Sequence, residues 1–156
     1  LTFPFSELAM RVNNAMPAHT VRRLEIQFGG SCRGKRILLL GISYRQDIGD
    51  ARYSPVETLA CALEDRGAEI EGYDPYLHYW LEMDRPLLPA LPNVNKFDGI
   101  VITTPHREFF GLDLLAWLGS SRPIVLDAAN VVTKVQRQNC RKMGICFESV
   151  GRANGL

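Results

Sequence analysis

The stretch Lys35-Arg36-Ile37-Leu38-Leu39-Leu40-Gly41 decides the fold. Four successive apolar residues closed by a glycine mark a short strand buried on both faces, as parallel sheets require. A polar loop over 42–53 follows. Then Ser54-Pro55-Val56-Glu57 supplies three helix-start signals: a Ser N-cap, Pro at the first helical position and Glu three after the cap. That helix is predicted through Leu59, Leu63 and Arg66 to a stop at Gly67. Working outward, short apolar runs predict strands over 68–73, 99–103, 123–127 and 145–150, with helices over 112–118 and 134–143. The proline-broken tract 76–96 reads as loop with one short helix around His78 to Glu82. Buried strands with helices between them predict a Rossmann-like, doubly wound parallel α/β sheet in three layers.

Ahead of the first strand, Leu8, Val12, Met16, Leu24 and Phe28 recur at multiples of four, with Thr20 filling the gap and Ser6 placed to cap. This is a helical stripe, with Pro17 predicting a kink or break after Met16 and Gly29-Gly30-Ser31 ending it. The chain therefore divides into a helical segment over 1–30 and a Rossmann-like domain over 31–156. So long a stripe needs a partner, in the same domain or in a second copy.

The 156 residues are enough for one domain, and 46 % apolar with 22 % charged composition is that of a globular chain. Eighteen Lys and Arg against seventeen Asp and Glu leave a net charge of +1, which offers no footprint for nucleic acid or an anionic membrane. No apolar run approaches the roughly 20 residues of a membrane span, and residues 1–10 lack the basic region of a signal peptide. Cysteines at 32, 61, 140 and 146 form no CxxC and have no zinc-finger histidines, so they read as reduced thiols of a cytoplasmic protein with no metal. The first residue is Leu, as expected of a piece of something longer.

Ligands of such sheets bind beyond the carboxyl ends of the strands, where strand order reverses. The polar residues there are the 42–53 loop, Asp74, Thr104-Pro105-His106 and Asp127 to Asn130. Gly41 stands alone and the next glycine is Gly49, so there is no GxGxxG turn for a dinucleotide. What the loop holds is Ser43-Tyr44-Arg45-Gln46-Asp47-Ile48-Gly49-Asp50-Ala51-Arg52-Tyr53-Ser54-Pro55.

A glycine-ended strand, an aromatic-basic pair and D-x-x-D-x-R-x-S-P opening a helix resemble the C-terminal domain of the UDP-glucose/GDP-mannose dehydrogenase family. Glu71-Gly72-Tyr73-Asp74-Pro75-Tyr76 is similar to that domain's second-strand ending, and Pro105-His106-Arg107-Glu108-Phe109 to the turn after its third long strand. Val12-Asn13-Asn14-Ala15-Met16-Pro17 is similar to the helix linking the family's two Rossmann-like halves. The resemblance covers nearly the whole chain in order.

It implies an NAD-dependent nucleotide-sugar dehydrogenase, acting in polysaccharide biosynthesis, that oxidises a UDP-sugar C6 alcohol to the acid through a cysteine thiohemiacetal and thioester. It also implies that the NAD domain and the nucleophile precede this chain, so that these residues contribute no catalytic residue, bind no NAD themselves and are inactive alone. The expected ligand is a UDP-sugar or related nucleotide sugar, and the expected assembly a homodimer built partly on residues 7–28. Tyr44 and Arg45 match an aromatic-Lys pair at the base and phosphates: a ring covers a uracil face, and a guanidinium makes paired bonds to phosphate. Arg52 joins them as a candidate contact. Asp50, Ser54, Pro55 and Asp74 read as residues that shape the loop, and His106 as one that stabilises its turn.

Three alternatives stay open. Arg45, Asp47, Asp50 and Arg52 sum to zero charge, so the loop could be closed on its own ion pairs. Gly29-Gly30-Ser31-Cys32 mimics the family's Gly-Gly-x-Cys loop but follows the linking helix, and Cys32 reads as an ordinary loop cysteine. Asp127-Ala128-Ala129-Asn130 carries Ala129 where members often have an arginine reaching the partner's substrate. That departure favours a non-catalytic module binding a nucleotide or a protein partner; a degenerate half kept for oligomerisation is a third reading.

Overall fold

Strand β1 (Arg36–Leu40) is an inner strand of the main sheet, and its residues Ile37 to Leu40 are wholly buried. In register it pairs with β2 (Glu69–Tyr73) on one side, Ile37 beside Ile70 and Leu40 beside Tyr73. The computed structural model describes the backbone of residues 4–150 and the side chains of residues 15–150. Around β1 stand α1 (Pro4–Gln27), α2 (Pro55–Glu64), a hairpin of β3 (Tyr79–Trp80) and β4 (Arg85–Pro86), then β5 (Gly99–Ile102). The chain continues through α3 (Arg107–Phe110), α4 (Leu114–Leu118), β6 (Ile124–Asp127), α5 (Lys134–Lys142) and β7 (Phe147–Ser149). The main sheet is parallel throughout, in the order β2-β1-β5-β6-β7.

Alternation along β1 divides the core, because successive strand side chains point to opposite faces. Ile37 and Leu39 join Val21, Leu24, Val56, Leu59 and Leu63 from α1 and α2. On the other face, Leu38 and Leu40 join Phe109, Leu114, Leu118 and Cys140 of the opposite layer and Phe147 of the sheet. Each large aliphatic side chain contributes about 1.5–3 kcal/mol on leaving water, an upper figure because unfolded chains already bury some area.

Three expectations change. Helix α1 passes through Pro17 without a break and begins at Pro4, ahead of Ser6. One missing N–H is outweighed by the rest of the ladder and by Val21 and Leu24, which are buried. Steps of four overshoot a helical turn by about 40° each, so the stripe drifts, leaving Met16 exposed, Leu24 buried and Phe28 partly buried; the side chains of Leu8 and Val12 lie outside the described residues. The short helix expected around His78 to Glu82 is instead the β3–β4 hairpin, turning through a 3₁₀ segment (Leu81–Met83) with Asp84 at φ 46°. It carries Trp80, which is fully buried in the core. The helix expected from 112 starts at Leu114 because Asp113 caps it, its carboxylate accepting from the Ala116 N–H at 3.1 Å.

Strand order reverses between β1 and β5, and the crevice expected there is filled by protein. Gly41 has φ +91°, and a Cβ on it would stand 2.6 Å from the Thr104 Cβ and 2.9 Å from the Thr104 N. Gly41→Ala is therefore expected to cost about 1–3 kcal/mol in backbone strain alone, read as a lowered urea midpoint. An unchanged midpoint contradicts this packing.

Candidate functional site

Just beyond β2, the Asp74 carboxylate gathers the carboxyl-end loops. Its Oδ2 accepts from the Ile42 N–H at 2.7 Å, the Ser43 N–H at 2.8 Å and the Ser43 hydroxyl at 2.8 Å. Its Oδ1 accepts from the Tyr76 N–H at 2.9 Å. His106, with none of its surface exposed, completes the shell with Nε2 3.2 Å from Asp74 Oδ2. The other ring nitrogen, Nδ1, accepts from the Asp47 N–H at 2.9 Å. A ring nitrogen that accepts carries no proton, so the proton of the neutral imidazole sits on Nε2 and is donated to Asp74. Burial pushes the Asp74 carboxyl up, but His106, the Ser43 and Tyr76 amides and the Ser43 hydroxyl outweigh it and bring the group down to about 2.

Asp47 carries the tie outward. It occupies the left-handed region at φ 58°, which aspartate tolerates better than most residues. Its carboxylate accepts from the Arg107 N–H at 3.0 Å and the Tyr76 hydroxyl at 3.3 Å, and pairs with Arg107 Nε at 3.1 Å. The Arg107 amide, then Tyr76 and the Arg107 charge, hold it below the usual carboxylate range. Nearby, Gly49 lies so close to Tyr76 that a Cβ would stand 2.5 Å from the Tyr76 carbonyl oxygen. Thr104 Oγ1 donates to the Ser43 carbonyl at 2.7 Å, closing the inner half of the loop over the sheet.

The outer half is shaped by Asp50 and Ser54. The Asp50 carbonyl accepts from the Tyr44 N–H at 2.7 Å. Its carboxylate takes Arg52 Nη2 at 2.7 Å, Arg52 Nε at 3.0 Å and the Arg52 N–H at 3.0 Å; those Arg52 bonds draw Asp50 down to about 2. Ser54 Oγ accepts from the Val56 N–H at 3.3 Å with Pro55 at the head of α2, so the cap forms on the second helical residue rather than on Glu57.

The charges of the loop therefore do not cancel internally. Asp47 is paired to Arg107 from outside the loop, and Asp50 to Arg52. Arg45 has no carboxylate partner among the described residues; its guanidinium lies 5.4 Å from the centroid of the Tyr44 ring. Tyr44 and Arg45 line an open depression of about 710 Å³ with Pro17, Tyr53, Ser54, Pro55, Glu57 and Thr58. A neighbouring one of about 590 Å³ shares Tyr44, Arg45 and Tyr53 and adds Ile48, Asp50 and Arg52. Together they form one groove on the outer face of the loop, beside the filled crevice. Tyr53 was missed in the sequence; the available signal was a second aromatic immediately before the Ser-Pro cap.

The remaining candidates sit elsewhere. Cys32 is fully buried, and burial together with Glu25 pushes its thiol up to about 11. The thiols of Cys61, Cys140 and Cys146 are also raised, each chiefly by burial. Among the described residues no cluster of His, Cys, Asp and Glu could hold a metal, and no helix is long and apolar enough to cross a membrane. Ala129 packs against the α3–α5 core, its N–H bonded to the Asp127 carboxylate at 3.2 Å. Burial pushes Asp127 up against the pull of the amides of residues 129–132. Nor do the residues fit NAD: the place where a pyrophosphate would approach Gly41 is taken by Thr104.

Asp74 gives a pH signature. Its folded pKa lies below its unfolded one, so its stabilisation is complete above about pH 4 and is lost as pH falls toward 2, about 2 kcal/mol in all. Asp74→Asn is expected to lower stability at pH 7 and to remove that share of the acid dependence, read from urea midpoints between pH 2 and 7. A variant with the wild-type pH slope contradicts the assignment.

Residues 38–134 match the model of the UDP-glucose/GDP-mannose dehydrogenase family, UDP binding domain. The chain is 29 % identical over 154 residues to a UDP-glucose 6-dehydrogenase of Rhizobium meliloti, covering 94 % of this chain and 34 % of that protein. It is 28 % identical to a UDP-N-acetyl-D-mannosamine dehydrogenase of Methanocaldococcus jannaschii, covering 81 % of this chain and 29 % of that one. Among solved structures, the UDP-D-ManNAc dehydrogenase of Pyrococcus horikoshii superposes with a TM-score of 0.79 at 25 % identity, over 99 % of this chain and 35 % of that chain. A UDP-glucose dehydrogenase of Pyrobaculum islandicum superposes with a TM-score of 0.72 at 26 % identity, over 95 % and 32 %. The chain thus spans about a third of the length of the curated relatives it matches. With a family model covering the sheet from β1 to the start of α5, the chain belongs to the UDP-glucose/GDP-mannose dehydrogenase family, in the region of its UDP binding domain.

Proposed function

We propose that this chain is the part of an NAD-dependent nucleotide-sugar 6-dehydrogenase that grips the diphosphate and base of a UDP-sugar, on the outer face of the 42–53 loop. The observation that carries this is the arginine left over: Arg45 lies in a groove of about 710 Å³ with no carboxylate partner among the described residues. That volume is within the range of small-molecule sites, and a guanidinium offers phosphate two parallel hydrogen bonds. Arg52 reaches the same groove with Nε and Nη2 held by Asp50, which leaves Nη1 to a second phosphate oxygen. Glu57 on the groove wall suits a hydroxyl donor of the ribose or sugar rather than a phosphate.

The oxidation itself needs a nucleophile and a hydride acceptor. The described thiols are all raised rather than lowered, which supports a nucleophile outside these residues, and the filled crevice at Gly41 supports NAD being held elsewhere. These residues alone are therefore inactive in this reading. A homodimer belongs to it by family resemblance only, because Val21, Leu24 and Phe28 of the α1 stripe are spent on this chain's own core. A cytoplasmic setting rests likewise on the reduced cysteines.

Ala129, uncharged and turned to the core, favours a second reading, a nucleotide-binding module without dehydrogenation. Reduction of NAD by the whole protein on adding UDP-sugars separates the two. For the primary site, calorimetric titration is expected to show saturable UDP binding, with GDP and NAD as controls, weakened about tenfold in Arg45→Ala, or about 1.4 kcal/mol. Binding of NAD without UDP, or an unaffected variant, contradicts the assignment.

A further inference from the structure

Among the described residues four that are not glycine have positive φ: Asp47, Asp84, Asn130 and Tyr53. Three are Asp or Asn, which visit that region readily; a tyrosine does so at a cost in strain. Tyr53 has φ 62° and is 93 % exposed. Among the described residues its ring enters neither apolar core cluster and makes no aromatic pair, and its hydroxyl has no hydrogen-bond partner. The left-handed backbone closes a turn, the Ser54 N–H donating to the Ala51 carbonyl at 3.0 Å, but glycine or asparagine would serve that turn with less strain. The tyrosine ring itself gains nothing locally, and a strained residue of that kind points to a function.

Its place narrows that function. Tyr53 lines both halves of the groove, as Tyr44 and Arg45 do. The Tyr44 ring already carries the Arg45 guanidinium at 5.4 Å. Tyr53 is the aromatic ring of the groove without such a neighbour, beside the cation assigned to phosphate. It has no charge to offer a phosphate, and its flat face suits a flat ligand group. We infer that Tyr53 is the stacking platform for the base of the bound nucleotide, and that a tyrosine is kept at this left-handed turn position because its ring lines the groove. The inference rests on the reading of the groove as a nucleoside diphosphate site and adds to it the residue that receives the base.

Titration of the protein with UDP, combined with urea unfolding, tests this. Tyr53→Gly is expected to raise the unfolding midpoint, since glycine relieves the strain, and to weaken UDP about tenfold, the scale of one lost base stack. Tyr53→Asn, also comfortable in that conformation, is expected to lose affinity to the same extent. Tyr53→Phe, which keeps the ring and drops the hydroxyl, is expected to bind within about twofold of wild type. If Arg45→Ala weakens UDP while Tyr53→Gly and Tyr53→Asn bind it as wild type does, the stacking role is overturned and the nucleotide site stands. The same result accompanied by a changed oligomeric mass would assign Tyr53 to a protein contact instead. If wild type binds no UDP, or Arg45→Ala is without effect, the underlying reading fails, and with it the inference.

Discussion

A buried carboxylate is costly unless its charge is met by donors, and Asp74 is met by two loop amides, a hydroxyl, a turn amide and the buried His106. Those donors come from three segments: the exit of β1, the turn after β2 and the turn after β5. The three carboxyl-end connections are thus tied to one point. His106 extends the tie by one more bond, because the nitrogen not facing Asp74 receives the Asp47 amide. From that bond the shape of the 42–53 loop follows. Asp47 is turned toward Arg107 and Tyr76, and the loop's outer face is left to Tyr44, Arg45 and Tyr53.

On the proposed reading, this is why the nucleotide groove lies off the place where doubly wound sheets usually bind. The switch between β1 and β5 is occupied by Thr104 against Gly41 and by the Asp74 shell. The polar groups of the Asp74 shell and Thr104 are satisfied by one another. The polar capacity left over is displaced outward by one layer, to the rim formed by the loop and the head of α2. The fully enclosed network sets the geometry of the half-exposed rim.

Much of the fold was legible because it rests on local signals. Ile37 to Leu40 read as a buried strand, and Ser54-Pro55 read as a helix start; neither depends on anything far away. The β3–β4 hairpin was not legible: its strands have two residues each and include Pro86, and what holds it is the distant burial of Trp80. Pro17 misled for the opposite reason, since a local rule was overridden by the packing of Val21 and Leu24. The site was legible in outline only. Summed charge could not separate a self-paired loop from one with a spare cation, because the partner of Asp47 is Arg107, sixty residues on. Tyr53 was overlooked because an aromatic before a Ser-Pro cap says little by itself; what singles it out is its backbone angle.

On the proposed reading the nucleotide is held on the outer face of the loop and not in the switch-point crevice. Mapping backbone amide shifts while UDP is titrated into the protein tests it most directly. The account predicts the largest changes at Tyr44, Arg45, Tyr53 and Thr58, with Gly41 and Thr104 nearly still. Largest changes at Gly41, Ile42 and Thr104, or at Lys35 and Arg122 on the opposite end of the sheet, would contradict it.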